Sequence, residues 1–355
     1  MLYKKTIKYF ILILHAFLLF AGVSHASDPR GIKYIYSNHF YKKEAKNNIL
    51  CRALRLQKWE KVTEIIEKGI KLDHTCADGS PISHMALRFG NTELFLYFLL
   101  KGSDPKAVDD KNITALHWAV LDDNSEKIID YLIGVGLDPN ATSKNQKWTP
   151  LHWASSAGKI KNMEILLDAG ASIEAKDSFE FTPLYSAAVQ PNNAETVKFL
   201  LSKGADVSAK DITGGNLLHV GTASDSHEEI NKILIESGVD VNEKNVLGKT
   251  PLHLLAEYSY YYNVLESFKL LIKNGADVLL KDKKNRTILH SASISGDIKL
   301  ENKTPNPAVL EEIMTILIKN GVEIYEKDDD GNTAIDLAEN KDVRKILIRM
   351  ETLRI

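Results

Sequence analysis

Histidine is the residue type in this 355-residue chain most suited to supply a metal ligand or a general base. Two of the eleven histidines, His15 and His25, fall in an N-terminal apolar segment. His39, His74 and His227 are scattered, without the spacing that places two ligands on one helix face. The other six share one sequence frame: His84, His117, His152, His219, His253 and His290. Neither a metal site nor a histidine base is therefore predicted.

Nucleotide chemistry is the second possibility, because Gly248-Lys249-Thr250 resembles the end of a phosphate-binding loop. That loop needs a glycine five residues before its second glycine, and this position is Glu243. The chain also has no Gly-x-Ser-x-Gly nucleophile elbow, kinase signature or dinucleotide-binding loop. No cofactor and no small-molecule substrate are predicted.

Cysteine chemistry is limited to Cys51 and Cys76, 25 positions apart, at either side of the first predicted helix pair. Two cysteines cannot form a disulfide framework or a four-thiolate metal site. In an oxidising compartment they could pair, whereas the alternative is two separate small buried side chains. The sequence leaves both possibilities open.

The six framed histidines belong to a motif whose clearest copy is Thr149-Pro150-Leu151-His152-Trp153-Ala154. With Tyr185 counted in place of one histidine, successive copies are 33, 35, 33, 34, 34 and 37 residues apart. A near-constant period of this length predicts an array of repeated supersecondary units.

Each unit follows the same order of local signals. Gly or Asn two residues before the Thr suits a turn with positive φ, at these positions: Asn112, Gly214, Gly248, Asn285 and Gly331. Lys147 and Glu180 occupy this position in two turns, which we expect to be slightly strained or differently shaped. The Thr can cap a short helix and Pro fits its first turn. A second helix with apolar residues at helical spacing ends at a Gly in each unit: Gly102, Gly136, Gly170, Gly204, Gly238, Gly275 and Gly321.

These motifs resemble the ankyrin repeat, whose unit carries Thr-Pro-Leu-His-x-Ala and ends in Gly-Ala-Asp-x-Asn. Matching endings are Gly204-Ala205-Asp206-Val207, Gly275-Ala276-Asp277-Val278 and Gly238-Val239-Asp240-Val241-Asn242. The resemblance covers about residues 49–350. It implies an all-α solenoid of helix-turn-helix units with β-turn tips. It also implies that the six framed histidines are structural and hold neighbouring turns in register by hydrogen bonds.

The chain is expected to contain five segments. Residues 1–26 combine Lys4, Lys5 and Lys8 with an apolar run and Ser24-His25-Ala26, the order of a secretory signal peptide. The alternative for this segment is an uncleaved membrane anchor. The remaining segments are an extension (27–48), a degenerate N-terminal repeat (49–76), about seven ankyrin repeats (77–327) and a C-terminal capping repeat (328–355).

Partner binding is expected on the concave face that turn tips and first helices form in repeat arrays. A formal charge of −2 gives no reason to expect nucleic acid. Apolar or aromatic residues that break the motif are the candidates for contact with another protein: Ile113, Trp148, Phe179, Phe181, Tyr260, Tyr261 and Tyr262. The alternative is that each ring packs over the adjacent turn. Trp118 and Trp153, which follow the motif His, are predicted to lie in the core.

The sequence therefore favours a non-enzymatic protein-interaction scaffold, secreted or periplasmic, that meets the membrane only transiently through its signal segment. Frequent Lys, Asn and Ile favour an AT-rich bacterial source and extend the hypothesis to delivery into a host cell. One alternative is a periplasmic scaffold that stays tethered by residues 1–26. Another is an enzyme whose site would need both residues 27–48 and the repeats.

Overall fold

A computed structural model of the chain describes residues 49–72, 75–76, 78–220, 227–297 and 305–353. The segments predicted as signal peptide and extension, 1–26 and 27–48, lie outside these residues. The regular structure in the described part is helical, apart from two isolated antiparallel bridges, Thr75 with Pro81 and Val108 with Thr114. The predicted all-α class is confirmed.

The helices follow one another as a short first helix and a longer second helix in each repeat. In chain order they are α1 (Ile49–Arg55) and α2 (Trp59–Glu67), α3 (Ile82–Arg88) and α4 (Thr92–Leu100), α5 (Ala115–Ala119) and α6 (Glu126–Gly134), α7 (Pro150–Ser156) and α8 (Ile160–Asp168), α9 (Pro183–Ala188) and α10 (Ala194–Ser202), α11 (Leu217–Val220) and α12 (Glu228–Glu236), α13 (Pro251–Tyr258) and α14 (Leu265–Lys273), α15 (Ile288–Ser293) and α16 (Pro307–Lys319), and α17 (Ala334–Leu337) and α18 (Lys341–Leu353), with a 3-10 turn at Ser295–Asp297. Among the described residues, no helix is both long and apolar enough to cross a membrane.

Local chemistry starts and stops these helices as predicted. Thr149 is extended (φ −93°, ψ 165°), and its hydroxyl accepts a hydrogen bond from the backbone N–H of His152, while Pro150 occupies the first helical position. Each of the seven glycines expected after a second helix has φ between 89° and 94°. A side chain at such a φ is strained, so glycine ends the helix at little cost.

The core lies between the first helices and one face of the second helices. In α7 six of the seven residues are buried, whereas α8 buries only Asn162, Met163 and Leu166. Lys161 and Glu164 of α8 are exposed. Each fully buried leucine of this kind contributes about 2 kcal/mol. A single second helix could not bury its apolar face alone, so stacking of repeats supplies the core.

The chain divides into two compact units. The first comprises Met1–Gln190 with Ser202–Ala205, and the second comprises Pro191–Leu201 with Asp206–Ile355. Within the first unit α3, α5, α7 and α9 pack against one another in sequence order. Within the second, α11, α13, α15 and α17 do the same. Both units therefore obey the nearest-neighbour rule of a repeat array.

Neighbouring turns inside each unit are joined by backbone hydrogen bonds. The N–H to O pairs are Lys144 to Lys111 (2.8 Å) and Ser178 to Gln146 (2.9 Å) in the first unit, and Val246 to Thr213 (2.7 Å) and Lys283 to Leu247 (3.0 Å) in the second. Gly248 lies at one such junction with φ 76°, and a Cβ there would be 2.6 Å from the Lys283 nitrogen. Glycine is required at this turn by both its φ and the close approach.

A disulfide between Cys51 and Cys76 fastens the first described repeat to the next. Their Cα atoms are 5.7 Å apart, and both residues are buried. Of the two possibilities left open by the sequence, this structure contains the disulfide. The bond joins α1 to the turn that precedes α3, and closing a loop of this length stabilises by about 3 kcal/mol.

The last repeat keeps the cap but not the histidine. Asp336 occupies the motif position, and its Oδ2 accepts hydrogen bonds from the N–H and the hydroxyl of Thr333 at 2.9 and 2.8 Å. Helix α18 buries Val343 and Leu347 and exposes Arg344 on the side away from the core. A polar outer side of this kind suits the end of an array.

Candidate protein-binding surface

Four of the six framed histidines form hydrogen bonds that link their own first helix to the next turn. The Nε2 atom of His117 donates to the Trp148 carbonyl at 3.1 Å, and that of His152 donates to the Phe181 carbonyl at 2.9 Å. Because a carbonyl only accepts, Nε2 carries the proton, and Nδ1 accepts from the Thr149 hydroxyl at 2.8 Å in the second case. The same link recurs in the second unit from His219 to Lys249 (3.0 Å) and from His290 to Asn332 (3.1 Å).

Burial keeps these imidazoles neutral. It lowers the pKa of His117, His152 and His219 to about 4 and that of His253 to about 3. The Nδ1 atom of His253 is hydrogen-bonded to the hydroxyl of Thr250 at 2.8 Å, and a hydrogen bond with the Arg286 backbone acts on its pKa in the opposite direction to burial. Neutral, buried rings tied to their own helix caps are suited to holding register rather than to proton transfer with a substrate.

His84 departs from the other five. It lies at the equivalent helix position, but the residue before its helix is Pro81, which has neither a hydroxyl nor an N–H to offer its Nδ1 atom. Burial lowers its pKa to about 3, and a hydrogen bond with the backbone of Ala107 in the next turn acts in the opposite direction. The role of His84 in holding neighbouring turns in register stays a prediction.

Two of the seven partner-binding candidates are buried where the chain precedes a capping Thr. Ile113 is fully buried because its turn folds back on itself, with its N–H bonded to Asp109 Oδ1 at 2.8 Å. The Phe181 ring stacks on Tyr185, with centroids 4.9 Å apart, and only 9% of Phe181 is exposed. The expectation that Ile113 and Phe181 face a partner is wrong, because their side chains pack inside the first unit.

The three candidate tyrosines between α13 and α14 are also mostly covered. Tyr260 and Tyr262 are 4% and 3% exposed, which contradicts their expected accessibility. The residues just before α16 lie against this segment, since the Asn306 N–H donates to the Tyr260 carbonyl at 2.6 Å. Only Tyr261 of the three is half-exposed, with its ring edge-on to Tyr260 at 5.0 Å. Tyr261 stays a predicted contact residue.

Trp148 and Phe179 are the half-exposed aromatic candidates of the first unit, and one buried carboxylate holds both. Asp177 Oδ2 accepts from the Trp148 indole N–H at 2.8 Å. Asp177 Oδ1 accepts from the backbone N–H groups of Phe179 at 2.7 Å and Phe181 at 2.9 Å. We call Trp148 and Phe179 the aromatic turn surface. Their positions are fixed before any partner arrives, which reduces the ordering cost of binding.

The turns that carry these rings are strained as expected. Lys147 and Glu180 have φ of 55° and 62°, in the left-handed region that side chains seldom adopt. Their N–H groups donate to the Ser143 carbonyl at 3.0 Å and the Asp177 carbonyl at 3.1 Å, which holds the turns closed. Residues in such conformations persist only where the surroundings determine them, and they cluster at binding sites.

Other side chains that could do chemistry are used in packing. Lys249, from the sequence that resembles a phosphate loop, forms an ion pair with Glu257, and both side chains are nearly buried. Trp118 and Trp153 lie in the core, with their rings edge-on at 5.0 Å. Among the described residues, no group of three His, Cys, Asp or Glu could hold a metal ion.

Sequence reasoning missed a recurring acidic residue that organises the turns. An Asp lies five positions before the capping Thr in Asp109, Asp177, Asp282 and Asp328. In the second unit Arg286 Nε donates to Asp328 Oδ2 at 3.0 Å, as the Trp148 indole does to Asp177. The fixed offset of this Asp from the Thr was the available signal.

The repeated helix pairs, capped by Thr and linked by histidines, define an ankyrin-type solenoid. The family model described as ankyrin repeats (3 copies) matches residues 50–143, 83–177, 116–211, 184–282 and 218–302. Together these matches cover more than half of the chain, so the chain belongs to the ankyrin-repeat family. Repeats of this family mediate protein–protein interaction.

Individual relatives share parts of the array. The chain is 33% identical over 115 residues, 32% of its length, to putative ankyrin repeat protein FPV014 of Fowlpox virus (strain NVSL). It is 38% identical over 105 residues, 28% of its length, to a putative ankyrin repeat protein of Rickettsia bellii (strain RML369-C). With alpha-latrotoxin-Lh1a of Latrodectus hasselti it shares 29% over 132 residues, 36% of its length. The matches span 26%, 38% and 10% of these relatives, respectively.

Proposed function

We propose that the chain is a non-enzymatic scaffold, exported from the cell that makes it, and that it binds a partner protein on the face formed by its turns and first helices. The observation that carries the proposal is the aromatic turn surface. Trp148 and Phe179 are large rings, part-exposed and held by one buried Asp177, whereas neighbouring candidates are packed away. Rigid aromatic anchors of this kind contribute most of the binding energy in protein interfaces.

Export has separate support. The Cys51–Cys76 disulfide would persist in an oxidising compartment, and the cytosol of most cells would reduce it. The order of lysines, apolar run and small residues in residues 1–26 also supports export. N-terminal sequencing of the native protein separates the two forms of the proposal. A chain that begins near Ser27 supports release, and an intact N-terminus supports a periplasmic scaffold tethered to the membrane.

Affinity capture with the full chain tests the binding site. Partner proteins enriched on the wild type are expected to fall at least about tenfold on the Trp148→Ser/Phe179→Ser variant. The matched control is Ile212→Ser/Val246→Ser, which removes two apolar residues that are about half exposed in turns of the second unit. Partners retained on the aromatic variant but lost on the control would contradict the proposed site. Thermal unfolding of both variants excludes misfolding as the cause.

A further inference from the structure

The turn that ends in Trp148 differs from its neighbours in length. Six positions separate Ser143 from the capping Thr149, whereas five separate Asp109 from Thr114 and Asp177 from Thr182. The turn is closed by the Ser143 N–H, which donates to the Trp148 carbonyl at 2.9 Å. The additional residue gives this turn more exposed side chains beside the indole, and two of them are lysines.

Lys144 and Lys147 are exposed, and neither ammonium group forms an ion pair or hydrogen bond within the described residues. Several lysines in other turns are paired: Lys176 with Glu180 (3.2 Å), Lys210 with Glu243 (2.8 Å) and Lys284 with Asp330 (2.9 Å). The longer turn therefore carries positive charge that the chain does not neutralise itself. That charge lies next to Trp148 in the sequence and in the same turn.

The acidic groups of the next turn do not change this balance. Asp177 is buried and its carboxylate is already shared between the indole and two backbone N–H groups. Glu180 pairs with Lys176. A partner that approaches the aromatic turn surface thus meets two aromatic rings beside two unpaired ammonium groups.

We infer that the aromatic turn surface, with Lys144 and Lys147, binds an acidic peptide segment that carries at least one aromatic or long aliphatic side chain. The inference rests on the proposed function and specifies its partner. The apolar side chain covers the Trp148 and Phe179 rings, and carboxylates beside it pair with the two ammonium groups. Charge complementarity of this type raises association rates and makes binding sensitive to salt.

Selection from a random peptide library displayed on phage tests the inference with the full chain as bait. The pool selected on wild type is expected to be enriched at least tenfold in peptides with Asp or Glu around an aromatic or aliphatic residue. On Lys144→Glu/Lys147→Glu that preference is expected to disappear or reverse toward Lys and Arg. Binding of a selected peptide, measured by fluorescence anisotropy, should weaken at least tenfold from low to high salt.

The matched control is Lys210→Glu/Lys284→Glu, which reverses an exposed and a half-buried turn lysine that already have acidic partners. Its selected pool should resemble that of wild type. No enrichment on wild type, enrichment of basic peptides, or the same acidic pool on the Lys144→Glu/Lys147→Glu variant would overturn the inference. Peptides that depend on Trp148 and Phe179 but not on the two lysines would leave the proposed function standing and reject its acidic partner. Lys144, Lys147 and Lys210 are exposed and Lys284 is half-buried, and thermal unfolding of each variant serves as the folding control.

Discussion

The two units use one motif position in opposite ways. In the first, the residue before the capping Thr or its neighbour is apolar: Ile113, Trp148 and Phe181. In the second, the corresponding residues are Gly215, Lys249 and Arg286, and the two cations are paired with acids. The position is thus apolar at three turns of the first unit and cationic at two turns of the second, on the same helix-turn-helix scaffold.

The clearest contrast is between Trp148 and Arg286. Each donates to the Asp five positions before the next Thr, Trp148 to Asp177 at 2.8 Å and Arg286 to Asp328 at 3.0 Å. In both turns the other carboxylate oxygen accepts two backbone N–H groups. The carboxylate geometry is therefore constant and only the donor changes, from a neutral indole to a guanidinium.

The difference in donor changes the electrostatics of the two acids. Burial raises the pKa of Asp177, and a neutral indole supplies no charge to oppose it. Burial acts in the same direction on Asp328, but the Asn332 N–H and the Arg286 guanidinium outweigh it and lower its pKa. The first unit therefore holds its carboxylate in a less favourable environment than the second unit does. The donor to that carboxylate is an aromatic ring that reaches the surface.

The largest expected effect tests whether the first unit uses its ring residues for packing or for display. Phe181→Ala removes a ring that is stacked on Tyr185 and should lower the free energy of unfolding by about 3 kcal/mol. Phe179→Ala, at the half-exposed neighbour, should cost less than about 1 kcal/mol. Urea denaturation of both variants measures the difference. If both variants lost the same free energy of unfolding, there would be no distinction between a buried Phe181 and a partly exposed Phe179.

The next expected effect, of similar size, compares the two donors directly. Arg286→Met leaves a buried Asp328 carboxylate without its cation and should cost about 3 kcal/mol. Trp148→Phe keeps a ring but removes the indole N–H, and losing a hydrogen bond to a charged group costs about 1.5 kcal/mol. Urea denaturation at neutral pH measures both losses.

A control for the second unit is Lys284→Met, which removes an ion pair with the exposed Asp330. That change should cost less than about 1 kcal/mol, since solvent screens exposed pairs. If Trp148→Phe destabilised the chain more than Arg286→Met, the indole and not the guanidinium would be the stronger link, and the comparison would be reversed.

The fold was predictable because its signals are local and repeat. A Thr that caps, a Pro at the first helical position and a Gly after the second helix each act within a few residues, and their period identifies the array. The helix starts at Pro150 and Pro183 follow directly from this pattern. The motif did not predict that the residue capping the helix of His84 is Pro81, a local substitution in place of the usual Thr.

The binding surface was only partly predictable because exposure depends on the adjacent repeat. Ile113 and Trp148 occupy the same motif position, yet one is buried and the other is half-exposed. Phe181 is buried because its ring stacks on Tyr185, the residue that replaces the motif histidine. Both residues depart from the motif, and each packs against the other. Tyr260 is hydrogen-bonded through its carbonyl to Asn306, which lies outside the repeated motif, and no period predicts such a contact.

The smallest expected effect is a difference in pH dependence between the two acids. The pKa of Asp328 is lowered on folding, so its contribution to stability is present above its unfolded pKa of about 3.9 and is lost as pH falls through the folded pKa. The pKa of Asp177 is raised, so its contribution is present below about pH 3.9 and is lost as pH rises through the folded pKa.

The two Asn variants should therefore diverge from wild type in opposite directions. Between about pH 3 and about pH 6, Asp328→Asn should become less stable relative to wild type as pH rises, and Asp177→Asn should become more stable relative to wild type. The urea midpoint of each variant minus that of wild type, at each pH, measures this. Titration of the buried histidines, such as His152 with a pKa of about 4, is common to all three proteins and cancels in the difference. Slopes of the same sign would show that the indole and the guanidinium affect their carboxylates alike, which would end the electrostatic distinction between the two units.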